Sequence, residues 1–216
     1  MYDVTVAVCC YRQKKWLHRC LRSLASQTLD KSKFEVIVVN DQPGTELESI
    51  CENLKDFLNI RLINNSSNIG LPACLNKILN VALGRYFVRV DCDDYVSKHY
   101  LNYLSIFLNQ NRSYQSVSCD YSKVNSVGKI IERHVSQNNE IIACGHMFTY
   151  ESLCEIGFYD EKFKMREGHD LMNRFSKRFS SFNIPIPLYR YRIHDKNRTK
   201  DETACKEYDK LLSEEK

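Results

Sequence analysis

The sequence predicts an α/β fold, a mainly parallel sheet with helices packed on its faces. Three observations point there. β-Branched runs alternate with amphipathic stretches through the first half of the chain, one run (Phe34 to Val39) reads as a fully buried strand, and the strand candidates end abruptly in polar or acidic residues. In sheets of this kind right-handed crossovers bring the functional loops to the carboxyl ends of the strands.

Val4 to Val8 forms the first expected strand, ending at Cys9-Cys10-Tyr11-Arg12. Trp16, Leu17, Cys20, Leu21 and Leu24 then recur at helical spacing. Phe34 to Val39 runs into Asn40-Asp41 and the turn formers Gln42-Pro43-Gly44, after which Thr45 is placed to cap a helix through Leu47, Ile50, Cys51, Leu54 and Phe57. Ile60 to Ile63 is a short third strand. A polar turn, Asn64 to Gly70, leads to a helix through Leu75, Ile78, Leu79 and Ala82, with Gly84 as its stop.

The fourth strand lies in YFVRVDCDDY, residues 86–95. Three carboxylates, Asp91, Asp93 and Asp94, close a β-branched run, and clustered acids at a buried strand end are costly unless a cation neutralises them. Oxygen ligands of this type suit Mg²⁺ or Mn²⁺. The competing reading is a solvated turn whose acids cap the following helix.

The second half differs. A helix from about Lys98 to Leu108 precedes Ser116 to Val124, a turn over Asn125 to Lys129, and Ile130 to Val135, the pattern of an antiparallel hairpin. Ile141 to Tyr150 reads as another strand, Ser152 to Ile156 as a short helix stopped by Gly157, and Asp170 to Phe179 as a longer helix. Pro185 and Pro187 mark Pro185 to Tyr191 as an edge segment. From Asp201 a charged tail carries only Ala204, Tyr208, Leu211 and Leu212 to bury.

The 216 residues suffice for one substantial core. A net charge of +4 does not argue for wrapping nucleic acid, and it leaves anionic substrates or a membrane surface open as partners. No apolar run reaches the roughly 18 to 20 residues of a membrane span, and MYDVTVAVCC has no basic leader region, so the expected location is the cytosol, with the inner face of the membrane as its limit. Ten cysteines are scattered without a CxxC pair and are expected to be reduced and largely buried. Neither GxGxxG nor GxxxxGK[ST] occurs.

In order, VTVAVCCYR, VIVVND, SNIGLPACLNKIL, GRYFVRVDCDD, IGFYDEKF, REGHDLMNRF and PLYRYRIH resemble the family 2 glycosyltransferases of the GT-A fold, notably bacterial enzymes of surface-polysaccharide assembly. The resemblance covers about Val4 to His194. It implies a Rossmann-like, mainly parallel sheet with a small antiparallel acceptor-side region: one domain over 1–200, a nucleotide-sugar half to about 95, an acceptor half to 200, and a tail over 201–216.

The implied activity is inverting, metal-dependent transfer of a hexosyl or N-acetylhexosaminyl group from a nucleotide-diphosphate sugar, a UDP-sugar above others, to a glycan or lipid-linked glycan. By the same resemblance Asp93 binds Mn²⁺ or Mg²⁺ and Asp91 meets the ribose or the metal's water. Asp94 either shares those duties or caps a helix, and Arg89 contacts donor or balances the acids. Asp41 accepts from the base or closes its own turn, while Cys10, Tyr11 and Arg12 replace the family's Thr-Tyr-Asn beside it. Asn68, Gly70 and Asn76 belong to the donor pocket or to its scaffold. Glu167 or Asp170 supplies the general base, Gly168 standing where many relatives carry Asp. Arg192 meets a phosphate, and His194 completes the metal shell.

Two rivals stand beside this. A sugar-nucleotide nucleotidyltransferase would want a glycine-rich loop that CCYRQKK lacks, and a catalytically silent binding module would explain Gly168.

Overall fold

A computed structural model describes residues 2–134, 142 and 144–214. Its centre is a nine-stranded mixed sheet in the order β3-β2-β1-β4-β8-β6-β9-β5, with β7 paired to β6. β1 (Tyr2–Cys10), β2 (Phe34–Asn40), β3 (Ile60–Asn64) and β4 (Gly84–Arg89) are parallel neighbours. α1 (Lys14–Ala25), α2 (Glu48–Glu52) and α3 (Leu71–Leu79) provide the crossovers. After β5 (Tyr95–Val96) and α4 (Tyr100–Gln110), β6 (Ser116–Val124) and β7 (Ile130–His134) form the expected hairpin. β8 (Met147–Thr149), α5 (Tyr150–Ile156), α6 (Glu167–Ser176), β9 (Ser181–Arg192) and α7 (Glu202–Glu214) complete the chain.

The sheet divides two cores. Val4, Val6 and Val8 of β1 meet Leu17, Cys20, Leu21 and Leu24 of α1 on one face, while Ala7 joins Ile37, Leu75, Ile78, Leu79 and Phe87 on the other. Each large apolar side chain so buried contributes about 1.5–3 kcal/mol.

Four expectations need correction. Gly84 does not stop a helix: α3 ends at Leu79, and Gly84 opens β4 because a Cβ there would collide with the backbone of Thr5. Thr45 caps nothing; α2 is a single short turn of helix, its first turn closed by the Glu48 carboxylate accepting from Leu47 N at 2.9 Å, and Phe57 is exposed. α6 begins at Glu167 rather than Asp170. Pro185 to Tyr191 is an edge only in its first part: Pro185 and Ile186 are exposed and unpaired among the described residues and Pro187 pairs with β6 alone, whereas Tyr189 and Arg190 lie between β6 and β5. The register with β6 slips around Asp120, from Cys119 opposite Ile184 to Asp120 opposite Pro187, so a bulge absorbs the residues that cannot donate to the ladder. The ends of two expected strands, Val135 and Ile141, lie outside the described residues; what is described of the second is β8.

Asp41 fixes the polar turn before α3. Its Oδ1 accepts from Asn65 Nδ2 and Ile69 N, both at 2.9 Å, and its Oδ2 from Asn68 Nδ2 at 2.7 Å and Gly70 N at 3.0 Å. Gly70 delivers that N–H with φ 86° and ψ 160°, a conformation reserved for glycine. Gly70→Ala should therefore cost about 1–3 kcal/mol through backbone strain alone, since nothing lies within 4 Å of the added Cβ. Urea unfolding of the two proteins measures it.

His146, just ahead of β8, is buried with its ring stacked near Phe148 at 5.9 Å and Nδ1 unpaired among the described residues. Burial lowers its pKa to about 4. An unfolded His titrates near 6.5, so between these values the unfolded chain binds the extra proton; stability is fully present above about pH 6.5 and falls as pH drops toward 4, by up to about 3 kcal/mol. His146→Gln should flatten the pH dependence of the unfolding midpoint across that window.

Candidate active site

The carboxyl ends of β1, β2 and β4 converge because their ladders continue into the loops: Asp41 N donates to Cys10 O, Asn65 N to Asn40 O and Val90 N to Ala7 O, each at 2.9 Å. Side chains beyond these points share one rim.

Arg89 organises that rim. Buried at the end of β4, it grips Asp91 bidentately, Nε to Oδ1 at 2.5 Å and Nη2 to Oδ2 at 3.0 Å, and donates Nη1 to Glu167 Oε1 at 2.7 Å. Asp91 and Glu167 together hold the guanidinium in its charged form against the burial that opposes it. A guanidinium with two carboxylates is the arrangement that makes buried charge tolerable. It also joins the strand-end acids to the first turn of α6.

Asp93 and Asp94 diverge. Asp93, 19% exposed, faces His194, with Oδ2 at 2.9 Å from Nε2. His194 Nδ1 accepts from Lys196 N at 3.1 Å, which puts the ring proton on Nε2, donated to Asp93. Burial, then the like charge of Asp91, push the Asp93 carboxyl up, and the His194 bond opposes them. Asp94 is fully enclosed. It accepts from Arg192 N at 2.7 Å and from the Tyr189 hydroxyl at 2.9 Å, fastening β9 to the acidic loop, and burial followed by Asp93 and Asp91 raise its pKa strongly. It caps no helix.

Arg192 is buried with its guanidinium 4.1 Å from the Trp16 ring. Nε donates to Asp93 O at 2.6 Å and Nη1 to Asn125 O at 3.1 Å and Ser126 O at 2.9 Å. The next two carbonyls of the β6–β7 turn are held as well, Val127 O by Arg19 Nη1 and Gly128 O by the Tyr95 hydroxyl, both at 3.1 Å. Nη2 of Arg192 is buried without a hydrogen-bond partner among the described residues. Desolvation lowers the pKa of this guanidinium.

Of the other expected site residues, Asn68 and Gly70 bind Asp41, whose carboxylate thereby fills its roughly four acceptor sites with protein donors. Asn68 is the exposed side-chain donor of that group, Asn65 being buried. Cys10 is buried, and a hydrogen bond with Cys92 lowers its thiol pKa. Tyr11 and Arg12 are exposed at the rim, Arg12 at φ 59° with its guanidinium 4.9 Å from the Tyr11 ring.

Two residues stand apart from the acidic rim. Asn76 spends its amide on Tyr159 N, Tyr159 O and Glu161 Oε1, pinning the loop ahead of α6. Asp170 is held by Arg174 one turn along α6, Nη2 to Oδ2 at 2.7 Å, while Arg174 also bonds Ile156 O and Phe158 O. One helical turn separates Glu167 from Asp170, yet only Glu167 is bonded to Arg89. Tyr189, Trp16 and Asn65 escaped sequence reading: Trp16 counted as helix core and Tyr189 as one aromatic among several. PLYRYRIH carried the only signal for Tyr189.

A hard cation fits the oxygen-rich rim. Asp93 is partly accessible and bears the like-charge pressure of Asp91, which a cation would relieve. A second grouping, Asp91, Asp94 and Cys144, places potential ligand atoms within 4.8 Å of one another. Asp94 and Cys144 are buried, burial drives the Cys144 pKa up, and a thiol is a poor partner for Mg²⁺ or Mn²⁺, so Asp93 is the better anchor.

A mixed sheet with flanking helices and this acidic rim at the carboxyl ends of its strands define the GT-A glycosyltransferase fold. The sequence profile described as Glycosyl transferase family 2 matches residues 5–152, and the chain belongs to that family. Staphylococcus aureus (strain Mu50) TarS, a poly(ribitol-phosphate) beta-N-acetylglucosaminyltransferase, is 33% identical over 117 residues, 52% of this chain and 20% of TarS. Bacillus subtilis (strain 168) EpsH, a putative glycosyltransferase, is 26% identical over 214 residues, 88% of this chain and 61% of EpsH.

Among solved structures, S. aureus TarS 1–349 in complex with UDP-GlcNAc superposes with a TM-score of 0.79 at 20% identity, covering 93% of this chain and 61% of that one. The mannosyltransferase PcManGT from Pyrobaculum calidifontis, in complex with GDP-Man and Mn²⁺, gives 0.72 at 16% identity over 94% of this chain and 60% of that one. The chain thus spans between 20% and 61% of these relatives' lengths. Among the described residues no helix is long and apolar enough to cross a membrane.

Proposed function

We propose that this protein transfers a hexosyl or N-acetylhexosaminyl group from a UDP-sugar to an acceptor hydroxyl, with inversion, in assembly of a bacterial surface glycan. The observation that carries the reading is Arg89 bonded to both Asp91 and Glu167, because it couples a donor-side acid to a candidate base at one strand end. The UDP-GlcNAc complex of TarS and the poly(ribitol-phosphate) in its name support the donor and acceptor class.

Within this reading, residues to about 95 take the donor and 96–200 the acceptor. Glu167 receives the acceptor proton as the new C–O bond forms and the bond to the departing diphosphate breaks. Asp170, engaged by Arg174, keeps α6 in place. Asp91 meets the ribose or the metal's water, and Asp41 shapes the base pocket, with Asn68 as the donor that yields to a base N–H. Tyr11 and Arg12 line the approach, with Cys10 buried behind them.

Mn²⁺ or Mg²⁺ would be held by Asp93, with His194 orienting that carboxylate, and when bound supplies Lewis-acid stabilisation of the leaving diphosphate. The unpaired Nη2 of Arg192 is the atom left for a phosphate oxygen. Gly168 favours a second reading, nucleotide-sugar binding without transfer. Thermal shift with a panel of nucleotide sugars, with and without Mn²⁺, followed by NMR of the product anomer, tests both: stabilisation by one donor without product would leave the binding module, and no stabilisation by any donor would end the proposal.

A further inference from the structure

The outer face of α1 carries one sign of charge. Lys14, Lys15, His18, Arg19 and Arg22 are all exposed, whereas Leu17, Cys20, Leu21 and Leu24 face the core. At about 100° per residue these five side chains occupy an arc of roughly 140°, with no acid among them. The segment from Val4 to Leu29 contains no Asp or Glu at all. None of the five makes a salt bridge with a described residue; Lys14 acts only at longer range on Glu48, whose carboxylate bonds Asn64 and Leu47 N. A solvated helix face of this length ordinarily mixes its charges; here no acid answers the cations, although Lys15 lies over the Trp16 ring at 4.6 Å and Arg19 over the Tyr95 ring at 4.1 Å.

A second, independent feature adjoins it. The tip of the β6–β7 hairpin exposes aliphatic side chains, Val127 at 76%, Ile131 at 55% and Ile130 at 42%, flanked by the cations Lys129 and Arg133, while the intervening Glu132 is paired with Lys123 at 3.2 Å. The two features are physically joined, since Arg19 of the basic arc donates to Val127 O.

We propose that the α1 arc and the β6–β7 tip together seat on an anionic phospholipid bilayer. Each Lys or Arg near such a surface contributes about 1 kcal/mol, and adjoining aliphatic side chains enter the boundary between headgroups and acyl chains. A soluble phosphate polymer would satisfy the cations but offers no apolar phase for Val127, Ile130 and Ile131, which decides for the bilayer. Arg192 ties the same hairpin turn to the Asp93 carbonyl, so seating the tip on lipid brings the active-site rim to the membrane, where a lipid-carried acceptor would present its hydroxyl. The surface goes beyond the transfer reading and does not depend on it.

The test is co-sedimentation of the full chain with vesicles of phosphatidylcholine alone and of an equal mixture with phosphatidylglycerol. Binding to the anionic vesicles, released by 1 M salt, is the expected result. Lys14→Gln combined with Arg22→Gln should weaken partitioning about thirty-fold, equivalent to about 2 kcal/mol at about 1 kcal/mol per charge. Val127→Ser combined with Ile131→Ser should weaken it as well. Unchanged urea-unfolding midpoints would show that the variants are folded. Equal partitioning to neutral and anionic vesicles, no partitioning, or charge variants that bind as well as the parent would overturn the proposal. So would competition by a soluble polyphosphate with no loss in the apolar variant, which would assign the face to a phosphate polymer instead.

Discussion

Glu167→Gln is expected to leave UDP-sugar binding intact and to reduce transfer by about 10²–10⁴-fold, the range that a positioned general base supplies. Gln keeps the shape and an acceptor for Arg89 Nη1 but cannot take a proton at neutral pH. The structure supplies the control on the same helix. Asp170→Asn removes the charge that Arg174 grips through Nε and Nη2, so it should lower stability by about 1–3 kcal/mol and leave the folded fraction turning over. Single-turnover rates and urea unfolding of both variants check the assignment, and near-normal turnover by the Glu167 variant would remove it as base.

Asp93→Asn is expected to abolish the Mn²⁺ dependence of UDP binding and to cut transfer by about 10³-fold, the several kcal/mol that a Lewis acid contributes to a departing phosphate. The fold should survive. Asp93 is pressed by Asp91 and by burial, so a neutral amide relieves repulsion in the absence of metal while still accepting from His194. Calorimetric titration of UDP with and without Mn²⁺ measures it; equal Mn²⁺-dependent affinity in the variant and the parent would move the metal anchor elsewhere in the acidic loop.

Strands were legible wherever the run was β-branched and buried on both faces, as in β1 and β2, because such runs leave little conformational choice. Pro185 and Pro187 marked an edge correctly, but the pairing of Tyr189 and Arg190 with β5 was hidden, because it is a property of two segments distant in sequence. Gly84 misled for the same reason, its near neighbour being Thr5 on another strand.

At the site, residue order and resemblance singled out Asp91, Asp93, Arg89 and Glu167 as candidates, but their partners could not be read. That Arg89 chooses Asp91 and Glu167, that Arg174 captures Asp170, and that Asn76 serves Tyr159 are outcomes of packing between elements. Spacing along α6 treated Glu167 and Asp170 alike, and tertiary neighbours separated them.

The carbonyls of Asn125, Ser126, Val127 and Gly128 are each claimed by a side chain from another element: Arg192 takes the first two, Arg19 the third and Tyr95 the fourth. Surface hairpins are ordinarily where chain length drifts at little cost. This one has a fixed count. A residue added or removed there would put carbonyls out of step with their donors and, through Arg192, disturb the backbone of Asp93, so the turn is a spacer of set length between the β6–β7 hairpin and the acidic loop.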